Sequence, residues 1–148
     1  MTYTIKTNSV EETQEIARKI GKWVSSGMIL TLEGDLGAGK TTFTKGFAKG
    51  LDITRNVNSP TFNIIKEYQA RIPLYHMDVY RLEGGSDDIG LDDYLFGNGV
   101  CVVEWASLIE DLLPEERLDI KIYREGENQR RIELTPIGKI YESIRKVL

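Results

Sequence analysis

The 148-residue chain has a single cysteine, Cys101. That excludes an internal disulfide and suits a reducing compartment. No apolar run approaches the roughly 20 residues needed to span a bilayer. The opening residues, Met-Thr-Tyr-Thr-Ile-Lys-Thr-Asn-Ser-Val-Glu-Glu, hold no apolar core of a secretory signal. A cytoplasmic protein without a membrane partner is therefore expected. A basic excess is also missing: 19 Lys and Arg against 23 Asp and Glu leave a net charge of −4. This balance argues against a dedicated nucleic-acid binder, though not against reaching RNA through another protein. No low-complexity stretch, internal repeat or linker divides the chain, so one domain over residues 1–148 is expected.

What is present is a regular alternation of apolar patterns, with 41% hydrophobic residues to build a core. Ile16, Ile20, Trp23 and Val24 recur at helical spacing and predict a helix over 10–25. Asn8 or Ser9 would cap it, with Glu11 and Glu12 in its first turn and Gly27 beyond its end. Residues 28–32 read as a buried strand, 34–39 as a glycine-rich loop, and 40–50 as a helix carrying Phe43, Phe47 and Ala48. After the break at Asn58-Ser59-Pro60, strands are predicted over 62–68 and 74–79. A helix over 88–96, a strand over 100–103 and a short helix over 106–113 stopped by Pro114 follow. The alternating runs 118–123 and 131–134 flank a polar segment and predict a hairpin. Residues 137–148 read as a closing helix. Strands and helices alternating early, with a hairpin late, predict a three-layer α/β domain of P-loop NTPase type with a mixed, mostly parallel central sheet.

The segment Gly34-Asp35-Leu36-Gly37-Ala38-Gly39-Lys40-Thr41 satisfies G-x-x-x-x-G-K-[ST] in full. Each residue type has a reason. Glycines allow positive φ and close approach of the backbone to an oxyanion. Successive N–H groups then converge on phosphates, and the next helix points its positive end at them. Asp35, Leu36, Gly37, Ala38, Gly39, Lys40, Thr41 and Thr42 are thus the expected nucleotide contacts. Lys40 would reach the β- and γ-phosphates, and the Thr41 hydroxyl would ligate Mg²⁺. A glycine-rich turn with a helix cap is the plainer alternative. The apolar strand before the motif and the amphipathic helix after it argue against that.

A P-loop hydrolase also needs an acid at the end of a neighbouring strand. Asp78 and Glu104 both qualify. Glu104 ends the purer apolar run, whereas His76 interrupts the one before Asp78. Thr61 lies in the connection after the P-loop helix, where switch threonines contact magnesium and the γ-phosphate. An ordinary turn residue explains it equally well from spacing alone. His76 is expected to be packed or hydrogen-bonded, Cys101 to be core, and Trp105 either to cover the site or to pack. Asp87, Asp88, Asp92 and Asp93 fit a solvated, helix-capping face. Arg130 and Arg131 could approach phosphate or base, although hairpin arginines are usually solvated.

Four blocks in order then carry a resemblance: the P-loop with Thr42; Ser59-Pro60-Thr61-Phe62; His76-Met77-Asp78-Val79-Tyr80-Arg81-Leu82; and Val103-Glu104-Trp105. Together they resemble the TsaE (YjeE/YdiB) family. The resemblance implies a weak, Mg²⁺-dependent ATPase working with TsaB and TsaD. These make threonylcarbamoyladenosine on tRNA, at the adenosine beside the anticodon, with ATP resetting the complex between turnovers. Carried over, Lys40 and Thr41 contact phosphate and magnesium, Glu104 is the magnesium-linked acid, Asp78 the acid of the His-x-Asp block and Thr61 the switch-like threonine. tRNA would be met through the complex. Two enzyme rivals, and a third reading as a module that binds nucleotide only as a structural ligand, are weaker. A small-molecule P-loop kinase needs an arginine-bearing lid, and the arginines here are dispersed. A regulatory GTPase needs Asn-Lys-x-Asp, which does not occur; that points the base toward adenine.

Overall fold

The computed structural model describes residues 1–35, 37–55, 57, 65–79 and 91–148, except the side chain of Asp92. Among the described residues, seven strands form one sheet: β1 (Tyr3–Thr7), β2 (Ile29–Glu33), β3 (Ile65–Tyr68), β4 (Leu74–Asp78), β5 (Val100–Glu104), β6 (Arg117–Arg124) and β7 (Arg130–Ile137). Their spatial order is β1-β7-β6-β2-β5-β4-β3. The middle four, β6-β2-β5-β4, are parallel neighbours, and both flanks are antiparallel. The expected mixed sheet with a parallel centre is therefore present.

The period-two alternation of a strand explains the three layers. Leu30, Leu32, Val102 and Ile120 point to one face and pack with Ile20 of α1 (Val10–Trp23) and with Phe43 and Phe47 of α2 (Lys40–Gly50). Ile29, Met77, Cys101 and Val103 point to the other. There they meet Leu91 and Leu95 of α3 (Leu91–Leu95), and Ile109 of a 3-10 segment, Ala106–Leu112. β5 is buried at all five positions, as expected for a strand covered on both sides. α1 begins where Ser9 accepts the Glu12 N–H at 3.1 Å, while Glu12 Oε1 accepts the Asn8 N–H at 2.9 Å. The first bond satisfies an orphan donor of the helix's first turn, and the second ties down the residue before the cap.

Three elements differ from the sequence expectation. β1 was not anticipated; it forms by antiparallel pairing with β7, from Tyr3↔Leu134 to Thr7↔Arg130. The expected closing helix over 137–148 is shorter. Ile137 remains in β7, paired with Arg117. Gly138 turns the chain at φ 105°, and a 3-10 helix runs over Tyr141–Val147. Tyr141 anchors that segment by accepting the Ile29 N–H at 2.8 Å. The segment expected as a helix over 106–113 is 3-10 and kinked at Ile109. The expected strand start at 62–64, the helix start at 88–90, and Leu36, Ser59, Pro60, Thr61, Phe62, Tyr80, Arg81, Leu82, Asp87 and Asp88 lie outside the described residues.

Candidate functional site

The site sits at the carboxyl ends of the parallel strands, where open α/β sheets bind ligands. β2 runs into the glycine-rich loop, and the loop runs into α2. Gly37 and Gly39 hold φ of 83° and 109°, values that strain any residue with a Cβ. Gly39 is also the N-cap of α2 and carries no side-chain cap. The positive end of the helix therefore faces the loop. The loop closes on itself where the Asp35 carbonyl accepts the Ala38 N–H at 2.9 Å.

Register brings the acids level with the loop. Glu104 pairs with Leu32 on one side and with Asp78 on the other. Both candidate acids thus stand at the same height, on adjacent strands, level with a β2 residue two positions before the loop begins at Gly34. Lys40 ties the loop to Glu104: its Nζ lies 3.8 Å from Oε1 and 4.3 Å from the centre of the Trp105 ring. Lys40 and Glu104 are both buried, at 9% and 3% exposure. At that separation the attraction is about 4 kcal/mol for an effective dielectric near 20. Desolvation of the two ions is of similar size. The pair is therefore no clear net source of stability. Trp105 adopts a left-handed backbone, φ 60° and ψ 34°, which costs a non-glycine residue about 1–2 kcal/mol. Such strain clusters at functional sites.

Two contacts supply partners that the sequence left open. His76, fully buried, donates from Nε2 to Glu104 Oε2 at 2.6 Å. Arg130 reaches from the hairpin and donates from Nε to the Ala38 carbonyl at 2.8 Å. A second guanidinium nitrogen, Nη1, holds the turn by donating to the carbonyls of Gly126, Glu127 and Gln129. Arg130 is thus a strut between hairpin and phosphate loop, not a solvated arginine. Beside it lies a small cleft of about 30 Å³ between Val10, Gly39, Thr42 and Asn128. A larger groove of about 270 Å³ runs along Asp35, Trp105 and Tyr123.

The donors suit a hard cation. Thr41 and Glu104 offer oxygen, as Mg²⁺ requires, and Mg²⁺ usually takes only one or two protein ligands beside phosphate and water. Among the described residues no cluster of three or more His, Cys, Asp or Glu could form a complete protein cage. Cys101 takes no part. Burial pushes its thiol up to about 12, and Sγ donates to the Tyr94 carbonyl at 3.2 Å.

A parallel-centred sheet, a strand–loop–helix phosphate cradle and strand-end acids level with it define a P-loop protein. The family profile described as "Threonylcarbamoyl adenosine biosynthesis protein TsaE" matches residues 7–132, and the chain belongs to the TsaE family. The "tRNA threonylcarbamoyladenosine biosynthesis protein TsaE" of Bacillus subtilis (strain 168) is 60% identical over 140 residues, which are 94% of this chain and 89% of that protein. The protein of the same name from Treponema pallidum (strain Nichols) is 40% identical over 126 residues, 84% and 93% of the two chains. The crystal structure of Bacillus subtilis YdiB superposes with a TM-score of 0.87 at 52% identity, over 99% of this chain and 93% of that one. Among the described residues, no helix is long and apolar enough to cross a membrane.

Proposed function

We propose that this chain is an ATP-binding and slowly hydrolysing subunit of the machinery that makes threonylcarbamoyladenosine on tRNA, acting in the cytoplasm with TsaB and TsaD. The observation that carries this reading is Lys40. It is held between Glu104 and Trp105 at the mouth of a phosphate loop, in a chain whose relatives bear the TsaE name. The backbone of residues 35–42 and the start of α2 cradle the phosphates. Lys40 exchanges its contacts with Glu104 and Trp105 for the β- and γ-phosphates, and so neutralises charge that builds on the leaving oxygen. Thr41 and Glu104 would hold Mg²⁺, which when bound screens the phosphate charge. Asp78, level with Glu104, helps to orient a water for in-line attack on the γ-phosphorus as the bond to ADP breaks. Thr61 is assigned the switch position. Slow turnover of the isolated chain fits a site completed by a partner.

Reconstituted tRNA modification tests the proposal. With TsaB, TsaD and tRNA, many turnovers should appear only when both this chain and ATP are present. Lys40→Ala, folded as the parent, should bind ATP roughly ten- to hundred-fold more weakly, the worth of one charge-assisted contact, and should not support turnover. Full support by Lys40→Ala would overturn it.

A further inference from the structure

His76 stands on the same sheet face as Leu74, Val100 and Val102, and is paired directly with Val102. It is fully buried. A branched apolar side chain is what such a position ordinarily takes. The imidazole instead spends one nitrogen on Glu104. Among the described residues, its other nitrogen, Nδ1, is buried without a hydrogen-bond partner. An unpaired buried nitrogen is unfavourable, so packing alone does not account for the residue. The diagonal from His76 to Glu104 does, because a neighbour one pair along the ladder is within reach of a long side chain.

We infer that His76 is a positioning residue, whose Nε2–H fixes the carboxylate of Glu104 for a divalent cation. The bond occupies Oε2 and sets the plane of the carboxylate. Oε1 is then the oxygen turned toward Lys40. Once Lys40 has gone to phosphate, Oε1 is left facing the loop with its orientation already set. A carboxylate that must first be immobilised binds a cation less tightly, and removing such an orienting hydrogen bond typically weakens metal binding about ten- to hundred-fold. The role acts through Glu104 and makes no contact with the nucleotide.

This inference rests on the magnesium–nucleotide reading above, and one titration separates the two. Mn²⁺ is titrated into the full chain with a non-hydrolysable ATP analogue and followed by electron paramagnetic resonance. Absence of Mn²⁺ binding by the parent would overturn both readings. With parent binding established, His76→Leu should weaken Mn²⁺ about ten- to hundred-fold and leave metal-free binding of the analogue within about two-fold. His76→Gln, whose amide can place a donor near the Nε2 position, should recover most of the loss. His76→Asn is polar but too short to reach Oε2, and should behave as the leucine variant does; it serves if leucine impairs folding. In a Glu104→Ala background the histidine substitutions should add nothing. Parent-like Mn²⁺ affinity in a folded His76→Asn, or an equal loss with and without metal, would overturn the assignment.

Discussion

Cys101 and Glu104 show how one strand separates chemistry from packing. They are three residues apart in β5, so they face opposite sides of the sheet. Glu104 meets the loop, and Cys101 meets α3. The thiol's ordinary value of 9.0 rises to about 12 in the fold because burial disfavours the thiolate. In the unfolded chain the thiol loses its proton above about 9; in the native state it keeps it until about 12. The native state therefore holds more protons across that window, and stability falls as pH rises through it, by up to about 1.4 kcal/mol per pH unit. Below pH 9 the group contributes no pH dependence. Burial also raises the phenols of Tyr75 and Tyr141, which steepens the loss in the same direction. Urea midpoints at pH 7.5, 9 and 10.5 check this. Cys101→Ala should start less stable, through lost packing, but should decline less steeply between pH 9 and 10.5. Parallel decline of parent and variant would refute the assignment.

At the scale of elements, α2 must lie close to α1 for the phosphate loop to be held at both ends. Glycine permits that approach. A Cβ on Gly46 would fall 2.5 Å from the Gln14 carbonyl oxygen and 2.7 Å from its Cα, both backbone atoms that cannot step aside. Gly46→Ala gains about 1 kcal/mol of helix propensity, yet overpacking of this kind costs about 1–3 kcal/mol. Net destabilisation is expected, read as a lower urea midpoint with an unchanged slope; Lys49→Ala, at an exposed position of the same helix, should stay close to the parent. A Gly46→Ala chain as stable as the parent would mean that the helices separate easily. The bounds of α2 were legible in the sequence because motif and apolar spacing agree there, and β5 was legible because four consecutive apolar residues lead into an acid. β1 was not, since its pairing with β7 joins the two ends of the chain and leaves no local mark. The same holds for the site. Lys40 and Glu104 could be named from a motif and a strand end. The bond from His76 to Glu104 depends on β4 lying beside β5, and the reach of Arg130 depends on the hairpin folding back over the loop. Neither follows from local pattern.

For the whole molecule, charge decides how tRNA is met. Non-specific affinity for nucleic acid grows with the number of phosphates that lysine and arginine neutralise, and falls steeply with salt. This chain carries four more acids than bases. Its site also sets the carboxylate of Glu104 against the single loop lysine, Lys40. Two clefts are local exceptions: Lys139, Arg145 and Lys146 line one, with Glu142 among them, and Lys45, Lys49 and Arg55 line another; three cations in each are few against a polyanion. Such a surface repels a polyanion at long range and offers little to hold it at contact. We therefore expect the isolated chain to leave tRNA unshifted in a gel at micromolar protein and 150 mM salt, with or without ATP. In the same buffer, addition of TsaB and TsaD should bring the chain into a tRNA-containing complex. Sub-micromolar binding of tRNA by the isolated chain would sink this expectation. It would also mean that the chain recognises RNA directly, by a route its charge balance does not supply.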